Sequence, residues 1–310
     1  MHHRESLLPT YGSKGSNFAG VFVGGVAYGI HTAVFAAATY FIISAYKALK
    51  RLPWSFLIFI FSLFTLGTID IACNTKFGDM MWIDDRNIPG GPNAWLEAGY
   101  STPVNVLGSA SYIFSNFLAD AMIIYRLWVI WSYNWYIIII PILSFLASTA
   151  LSILTIYETA QPGASLWSHI TLGFSVPYWS LSIALNILVT LAIVYRLVAM
   201  KRRIGRLLSP AHSRMYTSLS SMVIESAALY SITGMIFIIC YARSSSVQNI
   251  VLPILGQVMC IAPELIILRV ARGRAWSSNT VTLLEGTTAT GVNEITTSLI
   301  YQGRRSILSH

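Results

Sequence analysis

Seven stretches of this chain are long and apolar enough to cross a bilayer, and no other property restricts its fold so tightly. They run over about residues 19–46, 54–75, 104–125, 136–157, 171–196, 217–241 and 250–270. A spanning helix needs about 20 mostly apolar residues, because hydrocarbon offers no partner to an unpaired backbone N–H or C=O. Of 310 residues, 55% are hydrophobic and only 10% are charged, which is too little charge for an ordinary soluble domain. The expected class is therefore all-α: a polytopic membrane protein of seven helices occupying residues 19–271. Outside it lie a polar N-terminal tail (1–18), a loop over 76–103 and a C-terminal tail (272–310).

The net charge of +8 is not read as a nucleic-acid signal, because the cations are sorted by side of the membrane. With the N-terminus outside, fifteen of the 20 Lys and Arg fall on the inner face, and only Arg4, Lys14, Lys76, Arg86 and Arg243 fall outside. The positive-inside rule then places the N-terminus outside and the C-terminus in the cytoplasm. No cleavable apolar segment precedes the first run, which is read as a retained anchor. Cys73, Cys240 and Cys260 lie in or at the ends of the runs, so no disulfide framework is expected.

Charged residues near the inner boundary divide into two kinds. Runs that end there finish on Tyr46-Lys47, Tyr125-Arg126, Tyr195-Arg196 and Leu268-Arg269, the pattern of interfacial anchors with snorkelling cations. Arg126, Arg196 and Arg269 are accordingly expected at the cytoplasmic rim, available to a partner. Asp120 is different: it lies inside the apolar stretch LADAMIIYRLWVIW, where a carboxylate costs roughly 3 kcal/mol and must find protein or water. At about 100° per residue, Asn105, Ser109, Tyr112, Asn116 and Asp120 form one stripe about 80° wide, which should point into the bundle.

The same projection groups Ser175, Ser182 and Asn186 on the fifth run and Ser218, Ser221 and Glu225 on the sixth. Pro253, Gly256, Gln257, Cys260 and Glu264 follow on the seventh. Counting about 1.5 Å per residue puts Asp120, Glu225 and Glu264 at similar depth. The expectation is a polar layer of Asp120, Glu225, Glu264, Asn116 and Asn186 that binds a ligand, switches, carries protons or simply locks the helices together.

Absences narrow the chemistry. Lysine occurs only at 14, 47, 50, 76 and 201, so the seventh run cannot form a retinal Schiff base. His31 and His169 stand alone in the sequence, and no set of His, Asp and Glu has metal-ligand spacing. No phosphate-binding glycine loop or nucleophile-base pattern is present, so neither an enzyme nor a cofactor is expected. The loop over 76–103 carries Trp82, Trp95, four acids and the turn Pro89-Gly90-Gly91-Pro92, and it reads as a folded lid over the mouth of the bundle. Residues 277–310, with twelve Ser or Thr, read as a disordered tail open to phosphorylation, with Arg304-Arg305-Ser306 the most kinase-like site.

The segments DAMIIYRLWVIW (120–131), NIPGGPNAW (87–95), ESAALYS (225–231) and PELIILRVARGRAW (263–276) together resemble a large family of seven-helix integral membrane proteins of mushroom-forming (basidiomycete) fungi. The resemblance covers nearly the whole chain and implies a receptor-like protein of the plasma membrane or endomembranes, without supplying a ligand. By matching position, Asp120, Tyr125, Arg126, Glu225, Ser226, Tyr230, Glu264, Arg269, Gly273, Arg274 and Trp276 carry it. The outer cysteine pair of rhodopsin-type receptors is missing. The expected function is thus sensing of a small molecule through a polar pocket among helices 3, 5, 6 and 7, with the bilayer around it and a cytoplasmic signalling protein as partner. The alternative is a proton-coupled small-molecule or lipid transporter, although helices 1–3 do not visibly echo helices 5–7 as an internal repeat would.

Overall fold

The computed structural model describes residues 8–49, 54–89, 91–161, 169–204, 210–243 and 245–272. Gly273, Arg274, Trp276 and the C-terminal tail with Ser306 lie outside the described residues. The fold is all-helical, and seven helices are long and apolar enough to cross a membrane: Gly15–Ser44, Trp54–Asp84, Pro103–Ile130, Trp135–Thr159, Gly173–Met200, Ile224–Ala242 and Gln248–Arg272. They are called the first to seventh spans below. The bundle has a lid end, where the 76–103 segment lies, and an arginine end, where Arg126, Arg202, Arg269 and Arg272 lie.

Local chemistry sets the boundaries. Pro103 opens the third span behind an extended Thr102, where its missing N–H costs nothing. Between the third and fourth spans the chain reverses through two left-handed residues, Ser132 (φ 56°) and Tyr133 (φ 64°). The Asn134 side chain then accepts a 3.0 Å bond from Tyr136 N and caps the next helix. Such backbone is strained for residues with a Cβ, and aromatic packing holds it: Trp128 meets the rings of Tyr133 and Trp135 at 4.9 and 5.1 Å.

Of the boundaries that differ from the sequence expectation, two belong to the first two helices. The first helix begins at Leu8, so much of the expected N-terminal tail is helical. The second runs on to Asp79 and through a π-helical turn, Met80–Asp84, because Lys76 on its last turn is held by Asp79 at 2.7 Å and Asp84 at 3.0 Å. The rest of the lid is a turn followed by a short helix, Gly91–Ala98. Trp95 ties the two parts together by donating to Asp85 at 2.8 Å while its ring packs on Phe77.

Packing is organised about the seventh span, of whose apolar window 67% is buried, against 17–33% for the other six. The first span approaches it through glycines. A Cβ on Gly20 would strike the backbone carbonyl of Asn249, and one on Gly24 would lie 2.9 Å from Pro253. The other spans turn large apolar side chains outward, among them Phe22, Val26, Ile58, Ile140, Leu191 and Ile232. In water so much exposed apolar surface would drive association, whereas in a bilayer it is the lipid-facing side of an integral membrane protein. All three cysteines are free.

Candidate functional site

A cavity of about 210 Å³ lies beneath the lid. Every span contributes to its wall, and Phe77, Met81, Leu96 and Tyr100 close it from the lid side. Tyr100 is buried there, and that burial pushes its hydroxyl up to about 12, with Thr159 beside it pulling the other way; it stays a proton donor at any ordinary pH. Asp70, about midway along the second span, reaches the cavity and takes a 3.0 Å bond from Asn74 on its own helix. Gly256 of the seventh span makes room for this carboxyl: a Cβ there would lie 2.9 Å from Asp70 Oδ2 and 3.3 Å from the Tyr112 ring. The Tyr112 hydroxyl and both amide atoms of Gln248 are buried in the wall with no hydrogen-bond partner among the described residues.

The inward stripe of the third span runs down from this cavity. Asn105, Ser109 and Tyr112 line it; Asn116 and Asp120 come one and two turns later, both buried. Asn116 Nδ2 donates to Asp120 Oδ2 (3.1 Å) and Ser182 Oγ (3.1 Å), Ser182 donates to Asp120 Oδ2 (2.9 Å), and Tyr230 OH donates to Asn116 Oδ1 (3.1 Å). This single assignment gives every polar hydrogen of the four side chains an acceptor. It joins the third, fifth and sixth spans through a carboxylate that only accepts. Below it, a smaller cavity of about 40 Å³ is lined by Asp120, Arg126, Asn186, Ser226 and Tyr230. Helical spacing puts Asp120 and Arg126 on different faces, yet the long arginine side chain brings both to one space. No described residue pairs with Arg126 in an ion pair, and Asn186 Oδ1 is buried without a partner.

The expected three-acid layer is not present as such. Glu264 is buried, but Glu225 is on the surface, its side chain 62% exposed, and pairs with Arg269 at 2.7 Å. That contact sets Glu225 against a residue five positions beyond Glu264, about 7 Å nearer the arginine end at 1.5 Å per residue. Ser221 is exposed with it, whereas Ser226, 100° further round the helix, and Tyr230 face inward. The outward turn of Glu225 has a cause: Arg269 supplies a counter-charge there. Ser218 has no described side chain. Arg196 stacks over the Trp131 ring at 5.1 Å, so two of the three rim arginines already have partners within the chain.

Glu264 is paired with His31, which the sequence leaves alone. His31 Nδ1 lies 2.8 Å from Gln257 Oε1 and Nε2 lies 3.3 Å from Glu264 Oε1, all three side chains fully buried. Gln257 Nε2 donates to the Gly67 carbonyl at 3.1 Å. This fixes the amide so that its oxygen faces the ring, and Nδ1 must carry a proton. One further proton is then shared between Nε2 and Oε1, so the pair has no net charge, and it clamps the first, second and seventh spans together.

Asp70 and His31 are buried polar residues that the polar layer expected from the sequence does not include. For Asp70 the signal was available: an acid in the middle of an apolar run carries the same insertion cost as Asp120.

Fold and surface define a class, a seven-helix integral membrane protein with a capped cavity at one end of a buried polar column. Comparison with protein-family models, with curated proteins and with solved structures finds no match to the chain.

Proposed function

We propose that this chain is a receptor-like integral membrane protein that binds a small molecule in the lid-end cavity, with that end outside. One observation carries the reading: a space of about 210 Å³ lies under a tied lid and is walled by buried polar atoms with no partner among the described residues. Unpaired buried donors and acceptors cost about 1–3 kcal/mol each, and a ligand's polar groups would recover that cost. The cavity is wider than the expected pocket among helices 3, 5, 6 and 7, since the first and second spans join it. The column Tyr112, Asn116, Asp120 leads from it to the arginine end, where Arg126 and Asn186 border the smaller cavity and a cytoplasmic partner would bind. The sequence resemblance supports a fungal plasma-membrane or endomembrane protein.

A second reading, a proton-coupled small-molecule or lipid transporter, draws on one feature: cavities lie at both ends of the same polar column, with titratable Asp120 between them. One experiment separates the two. Purified protein is screened for ligand-induced thermal stabilisation against metabolites and lipids, and each hit is tested for uptake into vesicles containing the protein. Stabilisation without uptake supports the receptor, and uptake supports the transporter. A hit that stabilises wild type and a cavity-filling Ser109→Phe variant equally would remove the cavity from either reading.

A further inference from the structure

We propose that the lid-end cavity takes a small organic cation, an amine or ammonium compound with Asp70 as its counter-ion; the inference rests on the cavity being the binding site. Asp70 is the one charged side chain among the described residues that line the space, and no Lys, Arg or His shares it. No described cation pairs with it. Its one hydrogen-bonding side chain is Asn74, a neutral donor on the same helix. A buried carboxyl in that position is neutralised by a proton or by a counter-ion. Without a counter-ion it holds a proton, and an incoming cation takes the place of that proton at a group that folding has already desolvated and oriented.

The walls fit the same chemistry. Tyr112, Tyr178, Trp179 and Phe237 line the cavity, and the faces of such rings attract ammonium groups. Tyr112 stands beside Asp70, both pressed against Gly256, so carboxylate and ring can meet one ammonium together. Gln248 and the Tyr112 hydroxyl add neutral donors and acceptors for a second polar group. The lid contributes Asp79, Asp84 and Asp85 against Lys76 and Arg86, a balance that favours approach of cations. Size bounds the ligand: a dry cavity of about 150 Å³ holds benzene, so about 210 Å³ suits a compact aromatic amine rather than a lipid.

The test uses the full chain in lipid nanodiscs and two probes of equal size, 2-phenylethylamine and its neutral analogue 2-phenylethanol, read by thermal stabilisation across a concentration series. The amine is expected to stabilise wild type at concentrations where the alcohol does not, and Asp70→Asn to weaken amine binding by about a hundredfold while leaving any alcohol binding unchanged. Equal or better stabilisation by the alcohol, no stabilisation by the amine, or undiminished amine binding by Asp70→Asn would overturn the inference. The wild-type comparison decides even if Asp70→Asn fails to fold. A neutral compound that stabilises wild type but not Ser109→Phe would keep the cavity as a binding site and remove the cationic ligand. Amine stabilisation that persists unchanged in Ser109→Phe would remove both.

Discussion

Two substitutions of equal size at the His31 clamp should have very different costs. Glu264→Gln replaces one acceptor oxygen with an N–H that can donate to His31 Nε2, while Nδ1 still donates to Gln257 Oε1. With the shared proton on Glu264, only the strength of one hydrogen bond changes, and the expected cost is about 0.5–1.5 kcal/mol. Gln257→Glu removes the N–H that now meets the Gly67 carbonyl and sets an acceptor against an acceptor, with only the His31 ring, already shared with Glu264, to offset a charge. Either the new carboxyl takes up a proton or a charge is buried unpaired, and the expected cost is about 3–5 kcal/mol. His31→Ala should match the larger figure, since it opens a void and orphans both partners. Equilibrium denaturation in mixed micelles, with helix content as readout, measures all three. If Glu264→Gln proves as damaging as Gln257→Glu, an ionic attraction and not the hydrogen-bond pattern holds the three spans, and the shared proton resides on His31.

Other outcomes follow from the same geometry. Tags at the two termini should label oppositely in intact cells, the N-terminal one accessible and the C-terminal one protected; an accessible C-terminal tag would invert the orientation read from the cations. Asp120→Asn should fold nearly as wild type, because its amide oxygen can still accept from Asn116 and Ser182, whereas Asp120→Leu orphans one Asn116 N–H and should cost about 1–3 kcal/mol in the same denaturation assay. A switch or proton role would appear in the Asn variant as an altered ligand or pH response at normal expression. Gly20→Ala should lower thermal stability by about 1–3 kcal/mol, since the obstacle is the Asn249 backbone, which cannot rotate aside; a neutral result would mean that the first span shifts freely on the seventh.

The seven spans were legible because lipid imposes one simple demand, twenty apolar residues in helix, and the chain meets it seven times. The third-span stripe was legible for a related reason: Asn116 and Asp120 are an i, i+4 pair, and their first shared bond is within one helix. Contacts between distant segments left no such trace. His31 and Gln257 are 226 positions apart, and no periodicity announces that pairing. Glu225 was misplaced because its orientation depends on Arg269 of another helix, which drew it out of the layer that its own helix suggested. The lid was foreseen from its aromatics and Pro-Gly turn, but the helical continuation to Asp84 depends on a lysine reaching two aspartates, and composition does not encode that geometry.

The order of synthesis has a consequence for the seventh span. The helix most wrapped by the others is the last of the seven to emerge from the ribosome. Until it inserts, His31 has neither of its partners, the Gly67 carbonyl lacks its donor, and the glycine face of the first span has nothing to pack against. A nascent six-helix intermediate therefore presents polar side chains and a vacant groove to lipid, the kind of surface that membrane chaperones and quality-control proteases recognise. Completion of the bundle waits for the seventh helix to dock. Variants that slow the seventh helix should lower abundance in cells more than they lower the stability of whatever protein survives to be purified.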